Sequence, residues 1–289
     1  MDLSVVIPTY RRPDLLRRCL VSLQEQDVDP QRFEVVVVDD GSGDATTDVL
    51  ASASGNVVAI TQPGNRGPAA ARNRALAAAR GELVLFLDDD VAGAPDLLST
   101  HLAIHAKRDD PLLGVLGRLD WDPALTVTPF MRWLDGSGLQ FAYDTWLREG
   151  PVDPPYAAFY TCNLSMRRDL LLAENGFDER FPYPAFEDIE LAFRLAKRGF
   201  HLRYHPAAQG FHTRAMALRG FRTRMRKVGE SAELIRRAAP DFPLEDGPLI
   251  QQDVSLGELA RRALTGRTGF YWAVVGRAYA RGRRTAART

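Results

Sequence analysis

Four short runs of apolar, mostly β-branched residues, each cut off by a polar turn, constrain this chain more than any other feature. Ser4-Val5-Val6-Ile7 ends at Pro8-Thr9, and Glu34-Val35-Val36-Val37-Val38 ends at Asp39-Asp40-Gly41-Ser42. Val57 to Ile60 precedes the loop Gly64-Asn65-Arg66-Gly67-Pro68, and Leu83-Val84-Leu85-Phe86-Leu87 runs into Asp88-Asp89-Asp90. Runs without polar alternation suit strands covered on both faces, as in a parallel sheet. The segments between them read as helices. Leu15, Leu16, Cys19, Leu20 and Leu23 share one face behind Pro13, Asp44 can cap a helix through Leu50, and an Ala-rich helix from Ala69 to Ala79 stops at Gly81. This β-α-β-α-β-α-β order predicts an open, mainly parallel α/β sheet with right-handed crossovers.

In such sheets ligands bind at the carboxyl ends of the strands, so Thr9, Asp39, Asp40, Asp88 and Asp90 are expected on one rim. Three successive carboxylates repel one another unless a cation joins them, and oxygen ligation favours Mg2+ or Mn2+. Taken alone, the triplet also reads as a solvated acidic turn. Asp39 and Asp40 could accept hydrogen bonds from a base N–H or a ribose hydroxyl, or merely end a strand.

From about residue 93 to 186 the pattern loosens, with Leu112 to Leu119 and Phe159 to Met166 as strand candidates. Regularity returns in a helix from Glu187 to Leu195, whose acidic first turn suits the positive end of the helix dipole. Beyond Phe211 the chain reads as helical and basic: residues 211–289 carry 16 Lys and Arg against 7 Asp and Glu, in a chain with 37 of each. Leu218, Phe221, Met225 and Val228 interleave there with Arg222, Arg224, Arg226 and Lys227. Such helices can cover the rest of the protein, pair with a second copy in a homodimer, or lie on an anionic membrane. Nucleic acid is not expected, since no binding motif accompanies the arginines. Cys19 and Cys162 have no paired spacing, and there is neither a secretory leader nor an apolar run long enough to span a membrane. A soluble cytoplasmic protein is expected, or a peripheral one at the inner face of the membrane.

Val6-Ile7-Pro8-Thr9-Tyr10, Val38-Asp39-Asp40-Gly41-Ser42, Asn65-Arg66-Gly67 with Ala71-Arg72-Asn73, and Gly81 to Asp90 follow one another as the motifs of family 2 glycosyltransferases do. The chain resembles that family over about its first 215 residues. The resemblance implies a GT-A fold over residues 1–215, with 216–289 as a helical extension. It further implies an inverting transfer of sugar from a UDP, dTDP or GDP donor to a sugar or lipid-linked acceptor, in polysaccharide or glycolipid synthesis. Pro8, Thr9, Tyr10, Asp39, Asp40 and Arg72 match the part that holds the nucleoside. Asp88 and Asp90 match the Asp-x-Asp element for ribose, metal and diphosphate, with Asp89 between them. Phe186-Glu187-Asp188-Ile189 resembles the acidic pair that carries the catalytic base, here Asp188 beside Glu187. Cys162 and Asn163 fall at the wall shared by donor sugar and acceptor, and His212 falls where relatives place a metal-binding histidine.

Two other readings remain at this stage. A nucleotidyltransferase that forms sugar nucleotides also uses acidic metal sites, but Tyr10-Arg11-Arg12-Pro13 lacks the glycines of its loop. A non-catalytic binder of sugar nucleotides would keep the fold without needing Asp188.

Overall fold

The computed structural model describes residues 1–53, 55–141, 143–244 and 254–287. Strand β1 (Leu3–Thr9), helix α1 (Pro13–Gln24), β2 (Phe33–Asp39), α2 (Thr46–Ser52), β3 (Val57–Thr61), α3 (Pro68–Ala78) and β4 (Leu83–Leu87) form the expected alternation. β1 lies between β2 and β4, parallel to both, and β3 extends the parallel set beyond β2. All seven residues of β2 are buried, which is why its sequence shows no alternation. Glu34 is tolerated there because the Ser4 hydroxyl donates to it at 2.7 Å and Arg80 pairs with it at 2.8 Å. β1 runs past the expected stop at Pro8, since Thr9 still pairs with Asp39 and its carbonyl accepts the Asp40 N–H at 2.9 Å. Asp44 does not cap α2 from the N-cap position, which Ala45 occupies; its carboxylate accepts the Thr46 N–H in a local turn instead.

The loosely patterned middle holds more regular structure than its sequence announces. It contributes β5 (Val91–Gly93), α4 (Leu97–Arg108), β6 (Leu113–Trp121), α5 (Pro129–Ser137), β7 (Gly150–Val152), β8 (Asn163–Arg167) and α6 (Arg168–Ala173), and the expected acidic helix follows as α7 (Glu187–Ala196). The strand expected from Phe159 begins only at Asn163, because Pro155–Ala158 forms a 3-10 turn and the chain stays irregular up to β8. β8 inserts antiparallel between β4 and β6. β9 (His201–His212) pairs parallel with β6 and antiparallel with β5 and β7, completing a nine-stranded sheet ordered β3-β2-β1-β4-β8-β6-β9-β5 with β7 beside β9.

A buried polar chain locks α4 to the antiparallel strands. Asn163 donates to the carbonyls of Arg118 and Ala208 at 3.1 and 2.9 Å, and its amide oxygen accepts from His101 Nε2 at 2.9 Å. The Ser165 hydroxyl then donates to His101 Nδ1 at 2.7 Å and accepts from His105 Nε2 at 2.9 Å. Burial drives both imidazoles down, His101 to about 3 and His105 to about 4. Their ordinary value is about 6.5, so below that pH the unfolded chain takes up protons that the folded chain refuses. Stability should therefore fall between about pH 6.5 and pH 4, by about 1.4 kcal/mol per histidine for each unit. Urea midpoints measured across this range should show that slope, and His105→Gln should roughly halve it; an unchanged slope in the variant contradicts the assignment.

The basic C-terminal region forms α8 (Leu218–Ala238), α9 (Leu256–Thr265) and α10 (Arg267–Ala286). Gly229 and Gly282 let α8 and α10 touch backbone to backbone, and a methyl group on either would overlap Tyr279 or Arg226 of the other helix. The apolar stripe of α8 is buried: Phe221 and Met225 pack with Val275 and Tyr279 of α10 and with Phe130, Met131 and Leu134 of α5. Ile235 packs with Phe181 and Phe193, joining α8 to α7 and the loop before it. Among the described residues no helix is long and apolar enough to cross a membrane.

Candidate active site

Parallel pairing sets Thr9 level with Asp39, while Val6 faces Phe86 on the other side, so the ends of β1, β2 and β4 form one rim. The two carboxylates that follow β2 have different tasks. Asp40 spends both oxygens on the next loop, accepting from Gln62 Nε2 at 2.9 Å and from the N–H groups of Arg66 and Gly67 at 2.7 and 2.8 Å. Burial pushes its carboxyl up, against the pull of those two N–H groups. Asp40 is thus a brace for residues 64–67, not the ligand group expected from the sequence. The two loops nest closely: Gly41, at φ 74, leaves no room for a Cβ against the Gly64 backbone, nor does Gly67, at φ 91, against Pro182. Asp39 is fully buried, with one oxygen accepting the N–H and hydroxyl of Ser42. Its Oδ2 is buried without a partner among the described residues. A buried carboxylate oxygen left unpaired is costly, and a ligand N–H or hydroxyl would satisfy it.

The three carboxylates after β4 also separate. Asp89 turns inward and is buried, accepting from the Thr9 hydroxyl at 2.7 Å and from Arg12 at 2.8 Å. Burial pushes it up to about 6. Thr9 and Asp89, both expected at the nucleotide, are therefore committed to each other and fasten the β1–α1 loop to the acidic turn. Pro8 is half-buried on β1, and Tyr10 is exposed beside the rim, with the Arg11 guanidinium 5.1 Å from its ring centre. Asp88 stays partly exposed and pairs with Arg72 at 3.2 Å.

Asp90 is buried among cations: Arg214 Nε donates to it at 2.8 Å and Arg12 at 3.2 Å. Burial would raise its carboxyl, but the field of His212, Arg12 and Arg214 holds it below the ordinary value. Arg12 and Arg214 gave no motif signal, and only the fold brings them to the rim. His212 bears on the fit of a metal. Its Nδ1 lies 3.1 Å from the Arg214 carbonyl, which can only accept, so that nitrogen carries the hydrogen. Nε2 faces Asp90 Oδ1 across 3.7 Å, and a metal ion between them would take the place of the proton whose charge otherwise acts on Asp90. Among the described residues no three His, Cys, Asp or Glu side chains converge as a metal site, so Asp88, expected as a third ligand, stands apart with Arg72.

Arg72 links the acidic turn to α7. Buried on α3, it pairs with Glu187 at 2.8 Å as well as with Asp88. Glu187 is 2% exposed and is pushed up to about 7, by burial first and then by neighbouring Asp188. It pairs with Arg72 through one oxygen and so positions that guanidinium, while its Oε2 is buried without a partner among the described residues. Asp188 is only partly buried, and burial raises its carboxyl while Arg72 draws it back. Phe186, immediately before the pair, adopts φ 69, a left-handed conformation that costs a bulky residue about 1–3 kcal/mol. Arg194 steadies the helix by holding Glu190 at 2.7 Å and the Gly176 carbonyl at 2.8 Å. Cys162 is buried near Asp88 and Asp188, whose fields add to burial in raising its thiol. Asn163 does not form part of an acceptor wall, because its amide is consumed by the buried chain through His101.

A mainly parallel α/β sheet thus carries on one rim an unpaired buried carboxylate after one strand and an acidic turn after another, with Arg72 tying that turn to an acidic helix start. Residues 4–166 match the family described as Glycosyl transferase family 2, and the chain belongs to that family. It is 32% identical over 247 residues to the pre-mycofactocin glycosyltransferase of Mycobacterium tuberculosis, which covers 83% of this chain and 48% of that protein. It is 34% identical over 220 residues to the validoxylamine A glucosyltransferase of Streptomyces hygroscopicus subsp. limoneus, covering 68% and 48%. The chain thus spans about half the length of these curated relatives. Two solved structures share the GT-A fold. The mannosyltransferase PcManGT of Pyrobaculum calidifontis, in complex with GDP-Man and Mn2+, gives a TM-score of 0.67 at 19% identity over 99% of this chain and 87% of its own. TarS 1-349 of S. aureus, in complex with UDP, gives 0.61 at 18% over 100% and 92%.

Proposed function

We propose that this chain transfers a glycosyl group from a nucleoside-diphosphate sugar to an acceptor hydroxyl, with inversion at the anomeric carbon. The observation that carries the reading is the Arg72 bridge, which holds Asp88 of the acidic turn and Glu187, next to Asp188, within reach of one guanidinium. Asp39 Oδ2 would accept from the base or ribose, with Tyr10 exposed beside it, and Asp88 would face the ribose and diphosphate. Asp188 would take the acceptor proton as the new C–O bond forms and the bond to the diphosphate breaks. A divalent ion of the Mg2+ or Mn2+ type, held by Asp90 and His212, would supply positive charge beside the departing diphosphate. UDP in the TarS complex and GDP-Man in the PcManGT complex support a nucleotide-sugar donor, and the latter's Mn2+ supports the ion. Residues 1–215 would carry the chemistry, with 216–289 covering α5 and α7, and the acceptor would be a sugar or a lipid-linked sugar.

A thermal-shift screen of UDP-, GDP- and dTDP-sugars with Mn2+ should select one base, since ligand at 100 times its Kd stabilises by about 2.7 kcal/mol. Release of nucleoside diphosphate only with an acceptor separates this reading from a binding protein. In calorimetry, chelator should weaken binding of the selected nucleotide about tenfold or more, about 1.4 kcal/mol. Asp90→Ala should show the weaker affinity with or without chelator. Wild-type affinity indifferent to chelator would exclude the metal assignment.

A further inference from the structure

Where β6 and β9 end side by side, with His212 on its wall, lies a cavity open to solvent. It is walled by Asp120 and Trp121 at the end of β6, Asp135 of α5, and Phe141, Tyr143 and Asp144 of the segment that follows. In the strand order, β4 with its acidic turn stands between β2 and β6. A donor whose base meets Asp39 would therefore extend its sugar, and not its nucleotide, toward this cavity.

Three observations indicate what the cavity takes. The first is charge: Arg118 pairs with Asp120 at 2.7 Å and with Asp144 at 3.0 Å, whereas the carboxylate of Asp135 accepts the Trp121 indole N–H, at 3.0 and 3.1 Å, and among the described residues no cation is seen paired with it. Burial, aided by Asp144 and Asp120, pushes Asp135 up, a repulsion that an incoming cation would relieve. The second is polar capacity left unused. Tyr143 is 6% exposed and its hydroxyl has no partner among the described residues, nor has the side-chain carbonyl of Gln140, which also lines the cavity. The third is shape: the half-buried rings of Trp121 and Phe141 line the cavity, and such rings attract cations and pack against the apolar face of a saturated ring, while Tyr143, stacked on Tyr204, offers its hydroxyl. Asp135, aromatic rings and uncharged oxygens together form a donor-seeking surface that suits an ammonium group, which hydrogen-bonds to all three kinds of partner.

We propose that this cavity binds the acceptor, and that the acceptor is a polyhydroxylated ring bearing a protonated amine. The inference rests on the glycosyl-transfer reading above. The ammonium meets Asp135, with Tyr143 and Gln140 completing its hydrogen bonds, and the ring lies on the aromatic faces. A ring hydroxyl faces the rim: its oxygen bonds to the anomeric carbon, its proton passes to Asp188, and the nucleoside diphosphate leaves with the electrons of the broken bond.

The test is titration calorimetry on the full chain with the nucleoside diphosphate chosen by the donor screen, using glucosamine at pH 6.5 and glucose as matched probes. Glucosamine should bind about tenfold more tightly or better, as a hydrogen bond to a charged group allows. Asp135→Asn, which keeps an oxygen for Trp121, should remove the difference while leaving nucleotide affinity unchanged. Equal binding of both sugars, binding of neither, or a preference that survives Asp135→Asn would overturn the proposal. If no nucleotide binds while the glucosamine preference persists in the free protein, the donor reading fails and the cavity assignment stands.

Discussion

Asp188→Asn should lower the rate of transfer by about 10²–10⁴-fold, or roughly 3–5 kcal/mol, while nucleotide affinity stays within about twofold of wild type. The amide keeps the size of the carboxylate and can still accept the Ile189 N–H that Asp188 accepts at 2.8 Å, but it cannot take a proton from an acceptor. Burial raises the Asp188 carboxyl, which brings its basicity nearer to that of a working base. Steady-state kinetics with saturating donor, alongside calorimetry, separate the two quantities. Near-normal turnover would remove Asp188 from the reaction. Glu187→Gln should differ, because Glu187 is enclosed and acts through Arg72.

The second large effect is structural. Arg72→Met should cost about 3–5 kcal/mol in urea unfolding, because Glu187 loses the partner that offsets its burial. Part of the cost is avoidable, since Glu187 already sits at about 7 and can accept a proton. Replacing both partners, Arg72→Met with Glu187→Leu, should recover most of the stability but not transfer, since Asp88 would still lack its guanidinium. Equal instability in the single and double variants would show that the pair is not coupled as described.

Most of the first ninety residues were legible because β1, β2 and β4 are buried on both faces, which leaves an apolar run with a polar end and little room for another reading. The rim followed from strand order alone. What each carboxylate does there did not, because Asp39 and Asp40 are adjacent in sequence and only the 64–67 loop, closing on Asp40, frees Asp39 for a ligand. Asp89 shows the same limit, since its direction depends on Thr9, 80 positions away. Arg214 reaches Asp90 across 124 positions, a pairing that no local motif announces. The antiparallel half of the sheet was harder for another reason. β8 alternates buried polar with apolar residues, and its Asn163 and Ser165, with His101 and His105 of α4, hide a core behind hydrophilic letters. The helical tail was legible as amphipathic, but its choice of partner lay in Gly229 and Gly282, which sit at the crossing of α8 and α10.

The central claim is that carboxylates from β2, the turn after β4 and the start of α7 serve one bound donor. A crystal structure of the chain with the selected nucleotide sugar and Mn2+ tests it directly. The base or ribose should meet Asp39 Oδ2, the diphosphate should lie by Asp88 and Asp90, and the anomeric carbon should face Asp188. A nucleotide bound elsewhere, with Asp39 Oδ2 still unpaired and Asp188 remote from the sugar, would contradict the account.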